Sequence, residues 1–132
     1  MRLCVRAQDL AWFSFALADE RGTVVKTLRK NGPPEAIFCS LVEAMERWQL
    51  HWDTLTSVAV VSGPGSYTAM RNSITIANTI AFVRNIPVAS ATALPETSDE
   101  AVFLKLAKLK ARQGKWVAPA YGAPPKITKP KK

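Results

Sequence analysis

The chain has 132 residues, a hydrophobic fraction of 48% and a formal net charge of +8. That is enough for one packed core and too little for two full ones. No run of about 18 uncharged apolar residues exists, which excludes a membrane-spanning helix. The opening Met1-Arg2-Leu3-Cys4-Val5-Arg6 lacks an uninterrupted apolar run and a cleavage-like site, so a cytoplasmic protein is expected. The charge is lopsided: residues 1–100 hold 9 basic and 10 acidic side chains, whereas residues 101–132 hold 9 basic and none acidic. Such asymmetry reads either as a contact for nucleic acid or an acidic partner, or as a solvated helix face followed by a soluble tail. Cys4 and Cys39 are isolated and show no metal spacing. They read as reduced, buried thiols, with a disulfide between them as the alternative.

In chain order, Leu3–Arg6 begins a short strand. Ala11–Ala18 is apolar on both faces, as a strand inside a covered sheet should be. Asp19-Glu20-Arg21-Gly22 is a turn, and Thr23–Leu28 follows as a β-branched strand. Three strands on short turns make an antiparallel meander. Asn31-Gly32-Pro33-Pro34 ends it, with Pro34 suited to a helix start. From Glu35 to Gln49 the apolar period lengthens: Ile37, Phe38, Leu41, Met45 and Trp48 recur at three- and four-residue steps, predicting an amphipathic helix.

Ser57–Ser62 is a fourth strand, and Gly63-Pro64-Gly65 forces a tight turn, with Ser66 or Thr68 capping a second helix that runs to Arg84. Asn85-Ile86-Pro87 stops it before a last core strand at Pro87–Ala91. A third helix begins near Thr97, where Thr97-Ser98-Asp99-Glu100 has capping-box spacing and places acids at the positive end of the helix dipole. Trp116–Tyr121 is expected as an added edge strand. Beyond it, Gly122-Ala123-Pro124-Pro125 and Lys126–Lys132 read as an extended basic tail.

The order β-β-β-α-β-α-β-α, with helical crossovers from strand 3 to 4 and from 4 to 5, predicts an α/β, ribonuclease-H-like (actin-like superfamily) domain on a mixed five-stranded sheet. The domain is expected over residues 1–121 and the tail over residues 122–132.

The chemistry available to such a fold is thin here. Two-metal phosphodiester cleavage needs carboxylates converging at the ends of strands 1 and 4. Strand 1 ends in Arg6, strand 4 in Ser62-Gly63, and Glu43 stands alone. Gly63-Pro64-Gly65-Ser66 joins a strand to a helix, where free N–H groups can hold an anion. It lacks the Walker lysine, however, and Pro64 removes a donor, so a plain turn is the better reading. Ser62 or Ser66 would need a base, and the sole histidine, His51, reads as a capping or half-buried structural residue.

The second helix is unusual. Ala69, Ser73, Ala77 and Ala81 draw a small-residue ridge at four-residue steps, and no charge lies between Arg71 and Arg84. One reading buries the helix between the sheet and the third helix. The other sets its ridge against a partner's helix, where small side chains permit close approach.

The segment Val58-Ala59-Val60-Val61-Ser62-Gly63-Pro64-Gly65-Ser66-Tyr67-Thr68-Ala69-Met70-Arg71 resembles the signature of the TsaB family: a hydrophobic strand, then Gly-Pro-Gly-Ser-aromatic-Thr-Gly-hydrophobic-Arg. Asn85-Ile86-Pro87-Val88 continues the match. Pro119-Ala120-Tyr121 and residues 125–132 resemble the closing segment of short members. The chain departs from the family at Arg6-Ala7-Gln8, where Asp-Thr-Ser is usual, and at Pro33-Pro34-Glu35, near the place of a His-Ser pair. Ala69 and Ser73 replace glycines, and most of a second domain is missing.

The resemblance implies a non-catalytic subunit whose first two helices bundle with those of the catalytic homologue TsaD, alongside the ATPase TsaE, in threonylcarbamoyl transfer to tRNA adenosine next to the anticodon. It implies partner contacts at Ile37, Leu41, Gly63, Pro64, Gly65, Ser66, Tyr67, Thr68, Ala69, Met70, Arg71, Ser73 and Ala77, with a homodimer as the other pairing. No cofactor is expected on this chain, ATP and metal belonging to the partner subunits. Tail residues Lys126, Lys129, Lys131 and Lys132 are expected to make weak RNA contacts. The competing functions are a small RNA-binding protein working through its basic C-terminus and a residual glycoprotease-like hydrolase.

Overall fold

A computed structural model describes residues 1–114 and 116–118. The strands are β1 (Arg2–Arg6), β2 (Trp12–Ala18), β3 (Val24–Asn31), β4 (Ser57–Val61) and β5 (Val88–Ala91); the helices are α1 (Ile37–Arg47), α2 (Tyr67–Arg84) and α3 (Asp99–Ala107). They form one sheet in the order β3-β2-β1-β4-β5. β1–β2 and β2–β3 are antiparallel, while β1–β4 and β4–β5 are parallel. This is the expected α/β, ribonuclease-H-like arrangement. The three meander strands take tight turns, and the parallel additions require the helical crossovers through α1 and α2.

The period-2 alternation of the strands divides the interior into two layers. Leu3, Val5, Phe13, Phe15, Leu17, Val58, Val60 and Val88 point to one face, where they meet Ile37, Leu41 and Met45 of α1 and Ala69, Met70, Ile74, Ala77 and Ile80 of α2. Cys4, Ala16, Ala59, Val61 and Ala89 point to the other, beneath Val102, Phe103 and Leu106 of α3. The inner residues of the second face are small, so α3 sits close to the strands. The sheet therefore separates α2 from α3, and the reading that buried α2 between sheet and third helix is corrected.

Most boundaries fall within a residue or two of those predicted. Strand β3 runs further, to Asn31, because Trp12 to Leu17 supply hydrogen-bonding partners along the whole of Lys26–Asn31. A single 3-10 turn, Pro34–Ala36, precedes α1, with Pro34 at its first position, where a missing N–H is harmless. Ser66 caps α2 by accepting from the Ala69 N–H at 3.4 Å, and Ser98 caps α3 by accepting from the Ala101 N–H at 3.2 Å. Asn85, in the left-handed region at φ 54°, ends α2.

Four expectations need correction. His51 is exposed and its side chain caps nothing; only its carbonyl accepts, from Thr54. Cys39 is exposed on α1, so of the two thiols only Cys4 is buried, and they are not joined. Residues 116–118 form no strand; instead Arg112 makes an isolated antiparallel bridge to Val88 on the free edge of β5. The small ridge of α2 faces inward. The expected strand's remainder at 119–121, the boundary at 121/122 and the tail lie outside the described residues.

Candidate functional site

In open α/β sheets, ligands gather at the carboxyl ends of the parallel strands. Here that end holds Arg6, Gln8, the turn Gly63–Ser66 and the start of α3, and these groups satisfy one another. The Ser66 N–H donates to the Gln8 carbonyl at 2.8 Å. The Gln8 amide donates to the Pro64 carbonyl at 2.7 Å and also to that of Ala93, while its oxygen accepts from Arg6 Nε at 2.8 Å. A Cβ on Gly65 would stand 2.7 Å from the Gln8 carbonyl oxygen, so this glycine is needed for close approach of two backbones, not for an open cradle. Pro64 follows a cis peptide bond and carries no N–H. The turn is packed against residue 8, and its Ser66 N–H is already engaged there.

Beside it lies a network that sequence reasoning did not find. Arg6, with no exposed side-chain surface, places Nη1 2.9 Å from Asp99 Oδ1. Arg29 Nε meets Asp99 Oδ2 at 2.9 Å and Ser14 Oγ donates to Oδ1 at 3.0 Å. Arg6 Nη2 also donates to the carbonyls of Leu94 and Pro95. Trp12 lies under both guanidinium groups, 3.7 Å from that of Arg29 and 5.1 Å from that of Arg6. Burial pulls the Asp99 carboxyl upward, but the hydrogen bonds from Arg29 and Ser14 and the two positive charges outweigh it and hold the group below its ordinary range. Burial pushes the Arg6 guanidinium down and Asp99 opposes that, whereas the bond to Asp99 moves Arg29 up. Arg6 and Asp99 are 93 residues apart. The only signal in the sequence was a charged residue ending a strand that should be apolar.

The residues nominated for partner contact separate into two groups. Ala69, Ser73 and Ala77 have no exposed surface, nor have Ile37, Leu41 and Met70. All belong to the chain's own core, and Gly63 is buried as well. The ridge is small because α2 lies tight on the sheet: the side that permits close approach is used within the monomer. The expectation of an outward ridge is corrected accordingly. Tyr67, Thr68, Gly65 and Arg71 are exposed, and Pro64 and Ser66 are half-buried.

The outward stripe of α2 is Thr68, Arg71, Thr75, Thr79 and Phe82, again at three- and four-residue steps. Between the first turns of α1 and α2 it borders a groove of about 600 Å³, lined by Pro34, Glu35, Phe38, Tyr67, Arg71 and Thr75 among others. Phe38 and Tyr67 are about half exposed there, at 53% and 51%. Among the described residues no group of three His, Cys, Asp or Glu side chains could hold a metal, and no helix is long and apolar enough to cross a membrane.

The family model described as TsaD, tRNA N6-adenosine threonylcarbamoyltransferase, matches residues 34–94, from the start of the 3-10 turn to just beyond β5. No curated protein matches. Among solved structures, YeaZ from Pseudomonas aeruginosa is similar with a TM-score of 0.59 and 18% identity, over 70% of this chain and 45% of that one. A second structure, of an uncharacterized protein with similarity to peptidase YeaZ from Pseudomonas aeruginosa, gives the same score and identity over 43% of its length. The chain thus spans less than half the length of the proteins whose fold it shares. It is similar in sequence to the TsaD family over residues 34–94 and similar in fold to YeaZ over 70% of its length.

Proposed function

We propose that the chain is a non-catalytic dimerisation subunit in threonylcarbamoyl transfer to adenosine in tRNA, acting in the cytoplasm by binding and stabilising a TsaD-like catalytic subunit. The observation that carries the reading is the groove between α1 and α2, where two aromatic side chains stand half exposed beside an outward stripe without acidic residues. Exposed aromatics next to a polar, weakly charged helix face make a suitable centre for helix-to-helix docking. The match to the TsaD family covers both helices that build this groove. In this reading ATP, metal and the TsaE-like ATPase belong with the partner, and this chain binds no cofactor.

The carboxyl end of the sheet supports the non-catalytic part. The Arg6 and Gln8 side chains and the Ser66 N–H are engaged with one another and with backbone carbonyls, and Asp99, the carboxylate nearest Arg6, is held by two arginines. A hydrolase using Ser66 and His51 is disfavoured by position: His51 precedes β4 and Ser66 follows it, and five strand residues separate such groups by roughly 17 Å.

The test is binding of the full chain to a TsaD-like subunit by calorimetry, with Phe38→Asp and Thr75→Arg as variants. Both sites are exposed, so the monomer's melting temperature should hold. Burying a charge at a docking centre should weaken binding at least tenfold, about 1.4 kcal/mol. Wild-type affinity in both variants would move the interface elsewhere. Sedimentation of the chain alone distinguishes a homodimer on the same face, which the two variants would also dissociate.

A further inference from the structure

We infer that the opposite end of the sheet, where β1, β4 and β5 begin, is a basic rail for the phosphate backbone of RNA. After α3, residues 108–112 stay on the body. They travel along this end of the sheet, from the β2–β3 turn to the free edge of β5. The two ends of that path are set by contacts: a Cβ on Gly22 would lie 3.1 Å from Lys108 Cγ, and Arg112 bridges to Val88, the first residue of β5. In between, Arg2 at the start of β1 donates to the Leu106 carbonyl at 2.8 Å and to Ser57 Oγ, also at 2.8 Å, holding the end of α3 against β4.

The result is a row of Arg21, Lys108, Arg2, Lys110 and Arg112 across a sheet whose strands are about 4.8 Å apart, a span of about 20 Å. Arg21, Lys108, Lys110 and Arg112 are exposed, and among the described residues no carboxylate pairs with any of them. Glu20 stands exposed beside Arg21, while Asp19 turns its carboxylate back to the Arg21 and Thr23 N–H groups. Residues 101–132 contain no acidic residue, and of the carboxylates in the groove shared by Arg21 and Lys108, Asp99 is held by Arg6 and Arg29, which leaves Glu100.

The ligand class follows from what the row has and lacks. Within residues 105–113 no large apolar side chain is exposed, and beside the row the groove shared by Arg21 and Lys108 offers a single one, Leu104. A protein interface centres on such anchors, whereas a nucleic-acid backbone offers closely spaced charge and asks only for cations held at intervals. Contacts of this kind position the nucleic acid and read no bases. The choice of RNA rests on the proposed role in tRNA modification; the row itself does not. It lies at the far end of the strands from the α1–α2 groove, so RNA and a partner subunit can bind together.

The test uses the full chain and a fluorescently labelled, unmodified tRNA transcript, with anisotropy followed from 50 to 300 mM KCl. One variant carries Lys108→Gln, Lys110→Gln and Arg112→Gln. A second carries Arg21→Gln alone, on an independent element in case the first misfolds. A third neutralises Lys126, Lys129, Lys131 and Lys132. The triple variant should lose about tenfold or more in affinity at 100 mM salt and flatten the log–log salt slope by about two to three, and Arg21→Gln by about one. Its affinity for the TsaD-like subunit should not move.

Affinity within twofold of wild type in the first two variants would overturn the inference, as would loss confined to the tail variant. Polyglutamate competing as well as tRNA would overturn it too, by showing a site for acidic protein. A chain that binds tRNA with this dependence but no TsaD-like subunit would remove the proposed function and leave the rail standing.

Discussion

Replacing Asp99 with alanine should be the most damaging single change outside the apolar core. Its carboxylate receives Arg6, Arg29 and Ser14 within 3.0 Å. Without it, a guanidinium with no exposed side-chain surface would keep only neutral acceptors: Gln8 Oε1 and the carbonyls of Leu94 and Pro95. Removing one partner of a buried pair typically costs about 3–5 kcal/mol. The lower end applies here, since Asp99 itself keeps 22% of its side chain exposed and water can reach it. About 3 kcal/mol is a large share of the roughly 5–15 kcal/mol that holds a domain folded, and should lower the melting temperature by about 10 °C. Arg29→Ala, removing an exposed partner, should cost at most about 1 kcal/mol. Arg6→Met combined with Asp99→Ala should recover part of the loss, because no charge is then left buried. Urea unfolding followed by tryptophan fluorescence measures all four proteins, with Trp12 reporting from beneath the two arginines. A loss below about 1 kcal/mol in Asp99→Ala, or no recovery in the double variant, would refute the reasoning.

The same carboxylate sets an acid limit. Its depressed native pKa means that its contribution is complete above the ordinary value of about 3.9 and is lost as pH falls from there through the native value, so Asp99→Ala should show a flatter stability profile below pH 4 by urea unfolding. Ser73→Leu should destabilise the monomer by about 1–3 kcal/mol, since Ser73 is fully buried and its hydroxyl donates to the Met70 carbonyl; an unchanged melting temperature would return the ridge to the surface. Burial pushes the Cys4 thiol up to about 12 while Cys39 is exposed, so iodoacetamide on the native chain at pH 8 should give one adduct, at Cys39, by mass spectrometry; rapid labelling of Cys4 would contradict its burial.

How much could be read without the structure follows from how locally each feature is encoded. The strands and helices were legible because alternation and three-to-four-residue periods are properties of neighbouring residues. The turn at Gly63–Gly65 and the stop at Asn85 were legible for the same reason. The small ridge was found correctly and oriented wrongly. A stripe of Ala and Ser says that something comes close, and the chain's own sheet meets that requirement as well as a partner helix would. The tyrosine and arginine that open α2 were nominated along with it. With Gly65 and Thr68 they are the part of the nominated set that remains exposed, and Phe38 completes the groove from a helix 29 residues earlier.

The amino-acid sequence by itself determined the order of elements, the meander with its two crossovers and the gathering of positive charge after residue 100. Each follows from short-range pattern and composition. Only the tertiary structure decided which face of α2 is free, that Arg6 and Asp99 neutralise each other across 93 residues, and that Arg21, Lys108 and Arg112 share one end of the sheet. Those are juxtapositions of distant segments. Their physical cause is the register of the strands, which places the start of β1, the β2–β3 turn and the start of β5 at the same end.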